Sequence, residues 1–117
     1  MRSRLIKPEF FSDEELAECS PLARIFFAGL WCRADREGRL EDRPKRLRAE
    51  ILPYDAAEGV DLLDELEGAH KVVRYEVAGQ RLLCIPGFTR HQDVHRNEKD
   101  SFLPEPPKVD QGPPKVD

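Results

Sequence analysis

Long apolar runs are missing from this 117-residue chain, in which hydrophobic residues make up 39%. No stretch approaches the roughly 18 consecutive apolar positions that a membrane-spanning helix needs, which excludes a helical membrane protein. Met1-Arg2-Ser3-Arg4 is basic, but only Leu5 and Ile6 follow before Lys7, so no signal peptide is expected. Cysteine is scarce: Cys19, Cys32 and Cys84 are odd in number and widely spaced. That argues against a disulfide framework and for a reducing, cytoplasmic setting. Net positive charge is missing as well. Lys and Arg number 19 against 23 Asp and Glu, giving −4 and an isoelectric point near 5.4, so bulk charge offers no argument for nucleic-acid binding. Six Phe, two Tyr and one Trp supply enough bulk for one compact core.

The charge is segmented. Arg43, Lys45, Arg46 and Arg48 form a basic run without an acid. Asp55, Glu58, Asp61, Asp64, Glu65 and Glu67 follow with no Lys or Arg among them. From Lys71 to Lys99 the balance is six basic against three acidic residues. Such blocks mark surfaces with separate roles, or solvated faces of different elements.

The clearest boundary is at the end. Five of the ten prolines lie between Pro104 and Pro114, and Pro-Pro-Lys-Val-Asp occurs at 106–110 and again at 113–117. Proline removes backbone donors and fixes φ, so residues 101–117 read as an extended, poorly ordered tail after a domain at 1–100. Upstream, Ser12 and Glu15 form a capping-box pattern opening a helix near 13–19. Ser20-Pro21 places a cap and a first-position proline before a helix over 21–34. Leu22, Ile25, Phe26, Gly29 and Leu30 line one face of it and Phe27, Trp31 and Ala34 the other, so burial nearly all round is expected. Cys32 and Cys84 are expected in the core.

Arg39-Leu40-Glu41 reads as a short strand. Pro44 opens a helix with Leu47 and Ile51 inward and its basic residues outward. Asp55 and Glu58 form a second capping signature before a helix near 59–69, packed through Val60, Leu63 and Leu66, with Leu62 and Ala69 as further candidates. Val73, Tyr75 and Val77 then alternate with Arg74 and Glu76, and Ala78-Gly79 turns the chain into a second strand over 81–85. The expected class is mainly α with a β-hairpin, α+β, in a winged helix-turn-helix layout. The hairpin is the wing, and the helix near 59–69 takes the recognition position.

Several short pieces, in order, carry a resemblance: Ile6-Lys7-Pro8-Glu9-Phe10-Phe11, Ser20-Pro21-Leu22-Ala23-Arg24 leading to Gly29-Leu30-Trp31, and Ala34-Asp35-Arg36-Glu37-Gly38-Arg39-Leu40. Pro44-Lys45-Arg46-Leu47, Pro53-Tyr54-Asp55, Leu62, Leu63 and Leu66, and Phe88-Thr89-Arg90-His91-Gln92 with Ser101 and Leu103-Pro104 complete it. Over residues 4–104 the chain resembles phage and prophage replication-type winged-helix proteins, the DnaD-like replisome-organiser N-terminal domains. The resemblance implies a non-catalytic DNA-binding role in replication initiation or transcription regulation. Full replication proteins of this kind continue into a half that handles helicase or its loader, so helicase loading would require a partner to supply that half.

The recognition position is acidic: Asp61, Asp64, Glu65 and Glu67 should face outward, where they would repel DNA phosphates. DNA contact is therefore expected elsewhere: on Arg43, Lys45, Arg46 and Arg48 near a helix start, on Arg74 and Arg81 of the hairpin, and on Arg90, His91, His95, Arg96 and Lys99 after it. The alternative is a protein-interaction module, docking through Asp61, Asp64, Glu65 and Glu67 or the Pro-rich tail. It would act as a regulator or as an inhibitor occupying a nucleic-acid channel on a host enzyme. A homodimer stays open. No cofactor, metal or catalytic residue is expected. His91 and His95 are four apart, but a zinc site needs further ligands at matching spacing, and no phosphate-binding Gly loop or nucleophile elbow is present.

Overall fold

The computed structural model describes residues 1–94 and 96–107. Most of the repeated Pro-Pro-Lys-Val-Asp segment, and His95, lie outside them. Two single-turn helices, α1 (Glu9–Ser12) and α2 (Glu14–Ala17), precede the central helix α3 (Pro21–Arg33). Then come β1 (Arg39–Glu41), α4 (Pro44–Ile51), α5 (Gly59–Gly68), β2 (Val73–Val77), β3 (Gln80–Cys84) and the single turn α6 (Phe88–His91). The three strands form one antiparallel sheet in the order β1-β3-β2, with Leu40 opposite Leu83 and Tyr75 opposite Leu82. The fold is α+β, and its element order is compatible with a winged helix. Among the described residues no helix is long and apolar enough to cross a membrane.

Local chemistry accounts for most of the element ends. The Ser20 hydroxyl accepts from the Ala23 N–H at 3.2 Å while Pro21 occupies the first helical position, as expected. At the other end of α3, Arg4 donates to the carbonyls of Trp31 at 2.9 Å and Ala34 at 3.1 Å, satisfying groups that a helix C-terminus leaves open. Ala78 and Gly79 have φ of 52° and 81°, the two positive values a two-residue hairpin turn requires. At Gly59 a Cβ would stand 2.1 Å from the Pro44 carbonyl oxygen, so only glycine lets α5 approach α4 this closely.

Phe26, Leu30, Leu63, Leu66, Leu82 and Leu83 are fully enclosed, and Trp31 stacks edge-on against Phe10 and Phe27, each at 5.2 Å. Four details depart from the sequence reading. Asp13, not Ser12, is the cap: its extended backbone splits the expected helix in two, and its carboxylate accepts from the Leu16 N–H at 3.0 Å. Helix α5 starts at Gly59 with Glu58 in the N-cap position and no side-chain cap bond, so the expected Asp55–Glu58 capping pair does not form. Ile25 and Val60 are exposed at 53% and 45%, while Leu62 is buried. Cys32 and Cys84 are only half-buried, and Cys19 is the enclosed cysteine.

The segment read as a tail begins on the domain. The Ser101 hydroxyl meets the Asp35 carboxylate, the Leu103 carbonyl accepts from Arg39 at 2.9 Å and the Pro104 carbonyl from the Tyr75 phenol at 2.7 Å. The packed unit therefore runs past the boundary at residue 100 suggested by composition.

Candidate functional site

On the hairpin and α5, Arg74 and Glu65 are held by residues from other parts of the fold. Asp42, in the β1–α4 connection, is buried, and its carboxylate accepts two bonds from Arg74 of β2, at 2.8 and 3.2 Å. A further bond of 3.2 Å runs from Arg74 to Asp64 of α5. The bonds to Asp42 push the Arg74 guanidinium further above its ordinary value. Arg74, expected as an outward hairpin cation, is thus a tie between sheet, α4 and α5. Glu65 is also turned inward: its carboxylate accepts from the Ser20 N–H at 2.7 Å and the Ser20 hydroxyl at 2.9 Å, at the positive end of α3. Of the four acids expected on the outer face of α5, Asp61, Asp64 and Glu67 are exposed and Glu65 is not.

The basic run divides in the same way. Arg48 bends back to the carbonyls of Leu52 and Asp55, at 3.3 and 3.0 Å, and closes the α4–α5 connection. Arg43 and Arg46 stay on the surface, paired with Glu41 at 3.1 Å and Glu50 at 3.4 Å. Both cations are exposed, although Glu50 is half-buried; an exposed pair such as Arg43–Glu41 is worth about 0–1 kcal/mol, and a competing anion can displace it.

Arg43 and Arg46 border a groove of about 410 Å³ between the end of α3, β1, α4 and the segment 99–103. Lys99 also lines it, and Arg2, Arg33 and Arg39 complete a set of six cations. Four acids share the lining. Glu41 is held in a surface pair, the half-buried Glu50 meets Arg46 and, at 2.9 Å, Arg33, and Asp35 accepts from the backbone N–H groups of Glu37 and Arg39. Asp100 stands 3.6 Å from Arg36. The groove is therefore cationic on balance, in a protein whose net charge is negative.

The sequence singled out Arg43, Arg46 and Lys99 but missed Arg2, Arg33, Arg39 and Phe102, which also borders the groove. The available signal was Phe102 itself, a lone aromatic in a polar, proline-flanked stretch. Lys45, Arg81, Arg90, Arg96 and Lys99 are exposed and have no ion-pair partner among the described residues. The Arg81 carbonyl accepts from the Asp42 N–H at 3.0 Å, which sets the hairpin beside the start of α4. Arg90 and His91 sit on α6, outside the groove lining. The expected basic surface is thus split, with its densest part along β1 and α4.

The wall carrying Lys99 and Phe102 is anchored by a cluster of opposite charges. Glu98 accepts two bonds of 3.0 Å from Arg4, contacts Arg2 at 2.9 Å, and its carbonyl accepts from Arg36 at 3.0 Å. The Arg4 and Glu98 side chains are only 4% and 9% exposed. Hydrogen bonds from Arg4 hold the Glu98 carboxyl below its ordinary value, against the opposing effect of burial. Gln92 fixes the incoming chain through paired bonds to the Leu5 N–H at 2.8 Å and carbonyl at 3.0 Å.

A smaller cleft of about 160 Å³, lined by Phe10, Phe27, Trp31 and Phe88, also holds Lys71, whose ammonium is engaged by Asp13. Burial pushes the Cys19 and Cys84 thiols up, which opposes thiolate chemistry. Among the described residues no group of three or more His, Cys, Asp or Glu is placed to hold a metal ion. Comparison of the chain with protein-family models, with curated proteins and with solved structures gives no match.

Proposed function

We propose that this protein is a non-catalytic, winged-helix DNA-binding protein that acts in replication initiation or transcription regulation of a phage or prophage. It contacts DNA chiefly through phosphates along β1 and the start of α4. The observation that carries the reading is the groove, where six cations drawn from distant parts of the chain converge although the whole chain is acidic. Arg43 and Arg46 are themselves open to water, so phosphate can compete for them at little cost. Two further features support the layout: the helix–strand–helix–helix–hairpin order, and a sheet ordered β1-β3-β2. The setting in phage or prophage replication rests on the resemblance of the sequence pieces.

The α5 face does not take part in this reading. Asp61, Asp64 and Glu67 lie where a winged helix would meet the major groove, and they disfavour that approach. The same face, with Val60 exposed beside the carboxylates, favours a second reading in which α5 docks a basic partner protein. Gel shifts at increasing salt separate the two. The DNA reading predicts retardation near 50 mM salt that fades steeply towards about 200 mM. Absence of a shift at low salt on both duplex and single strand would overturn it and leave docking as the better account.

A further inference from the structure

We infer that the groove beside β1 selects single-stranded DNA, holding its phosphates with Arg39, Arg43, Arg46 and Lys99 while a base stacks on Phe102. The inference rests on the nucleic-acid reading above and narrows it.

Phe102 is 88% exposed, and its exposure is built in. Burying an aromatic ring is favourable, so an exposed ring on a segment anchored at both sides is held open by those anchors. This segment is held on both sides of the ring. Before it, the Ser101 hydroxyl is held by the Asp35 carboxylate. After it, Arg39 binds the Leu103 carbonyl at 2.9 Å and Tyr75 the Pro104 carbonyl at 2.7 Å. The residue that pins Leu103 is itself one of the groove cations, so ring and charge are fixed relative to each other.

An open aromatic face beside a cationic cleft is the combination that non-specific single-strand binders use. A duplex keeps its bases stacked inside and has no free base face to offer Phe102, whereas a single strand does. The groove is a concave recess into which a flexible strand can bend. The α5 carboxylates meanwhile work against the major-groove approach that a duplex would need.

The test uses the full chain and fluorescence anisotropy near 50 mM salt. The ligands are a labelled thymidine strand of about 15 nucleotides and a duplex of the same length. The wild type should bind the strand about tenfold more tightly than the duplex. Phe102→Ala should weaken the strand about tenfold and leave the duplex unchanged, in line with the loss of one stacked base. Phe102→Trp should retain strand binding and show quenched emission on saturation. Because the ring is exposed, both variants should melt like the wild type. Equal binding of strand and duplex, or a Phe102→Ala chain that binds the strand like the wild type, overturns the inference while the nucleic-acid reading stands. Failure of the wild type to bind either ligand overturns both.

Discussion

The outer face of α5 and the groove beside β1 are both rich in charge, but their charges are held in different ways. On the α5 side Arg74 closes over the buried Asp42, and the half-buried Glu65 clamps the start of α3 through Ser20. In the groove, Arg43 and Arg46 are themselves open to water, Arg43 meeting the exposed Glu41 and Arg46 the half-buried Glu50. A charge with a buried partner is a structural tie, because releasing it strands the partner in a low-dielectric site. A charge that is itself open to water is available to a ligand. Sign and position along the chain therefore do not tell which charges can bind; the burial of the charge and its partner does.

Breaking the inner ties should have the largest effect. Arg74→Ala leaves the Asp42 carboxylate buried without a partner and should cost about 3–5 kcal/mol in urea unfolding. Replacing Asp42 by Asn in that background should recover part of the loss. A small effect of Arg74→Ala would place Arg74 among the available cations and dissolve the distinction. Glu65→Ala should come next, at about 1–2 kcal/mol, since it removes two charge-assisted bonds from Ser20. Its neighbours give the contrast: Asp61→Asn and Glu67→Gln should stay within about 0.5 kcal/mol.

Acid should weaken the wall that carries Phe102. The Glu98 pKa is depressed in the folded state, so its contribution is complete above the ordinary carboxylate value and is lost as pH falls through the folded value. Stability measured against pH should therefore decline on that limb. Glu98→Gln should be less stable at neutral pH and should show a shallower acid decline. The opposite limb belongs to Tyr75, whose phenol burial pushes up to about 12. Its contribution is complete below the ordinary phenol value and disappears as pH rises through about 12. Arg43→Ala with Arg46→Ala should also cost little, within about 1 kcal/mol, because both cations are open to water.

How much of this was legible in the sequence depended on distance along the chain. The Ser20-Pro21 helix start and the Ala78-Gly79 turn were legible because the residues that decide them are adjacent. The split between α1 and α2 was not, because Ser12 and Asp13 compete for the same cap and Asp13 prevails. Arg74 and Glu65 were misplaced for another reason: the groups that capture them lie 32 and 45 residues away. For the groove, Arg43 and Arg46 were legible as part of a local basic run. Arg2, Arg33 and Arg39 enter only because the N-terminal segment, the end of α3 and β1 meet beside α4.

The most direct test of the central claim is the slope of log affinity against log salt for a thymidine strand, measured for three chains. They are the wild type, Arg43→Ala with Arg46→Ala, and Asp61→Asn with Glu67→Gln. The account predicts a steep wild-type slope that falls by about two in the basic-groove variant, one for each lost phosphate contact. It predicts an unchanged slope in the α5 variant. An unchanged slope after loss of Arg43 and Arg46, or no binding by the wild type at low salt, would contradict it.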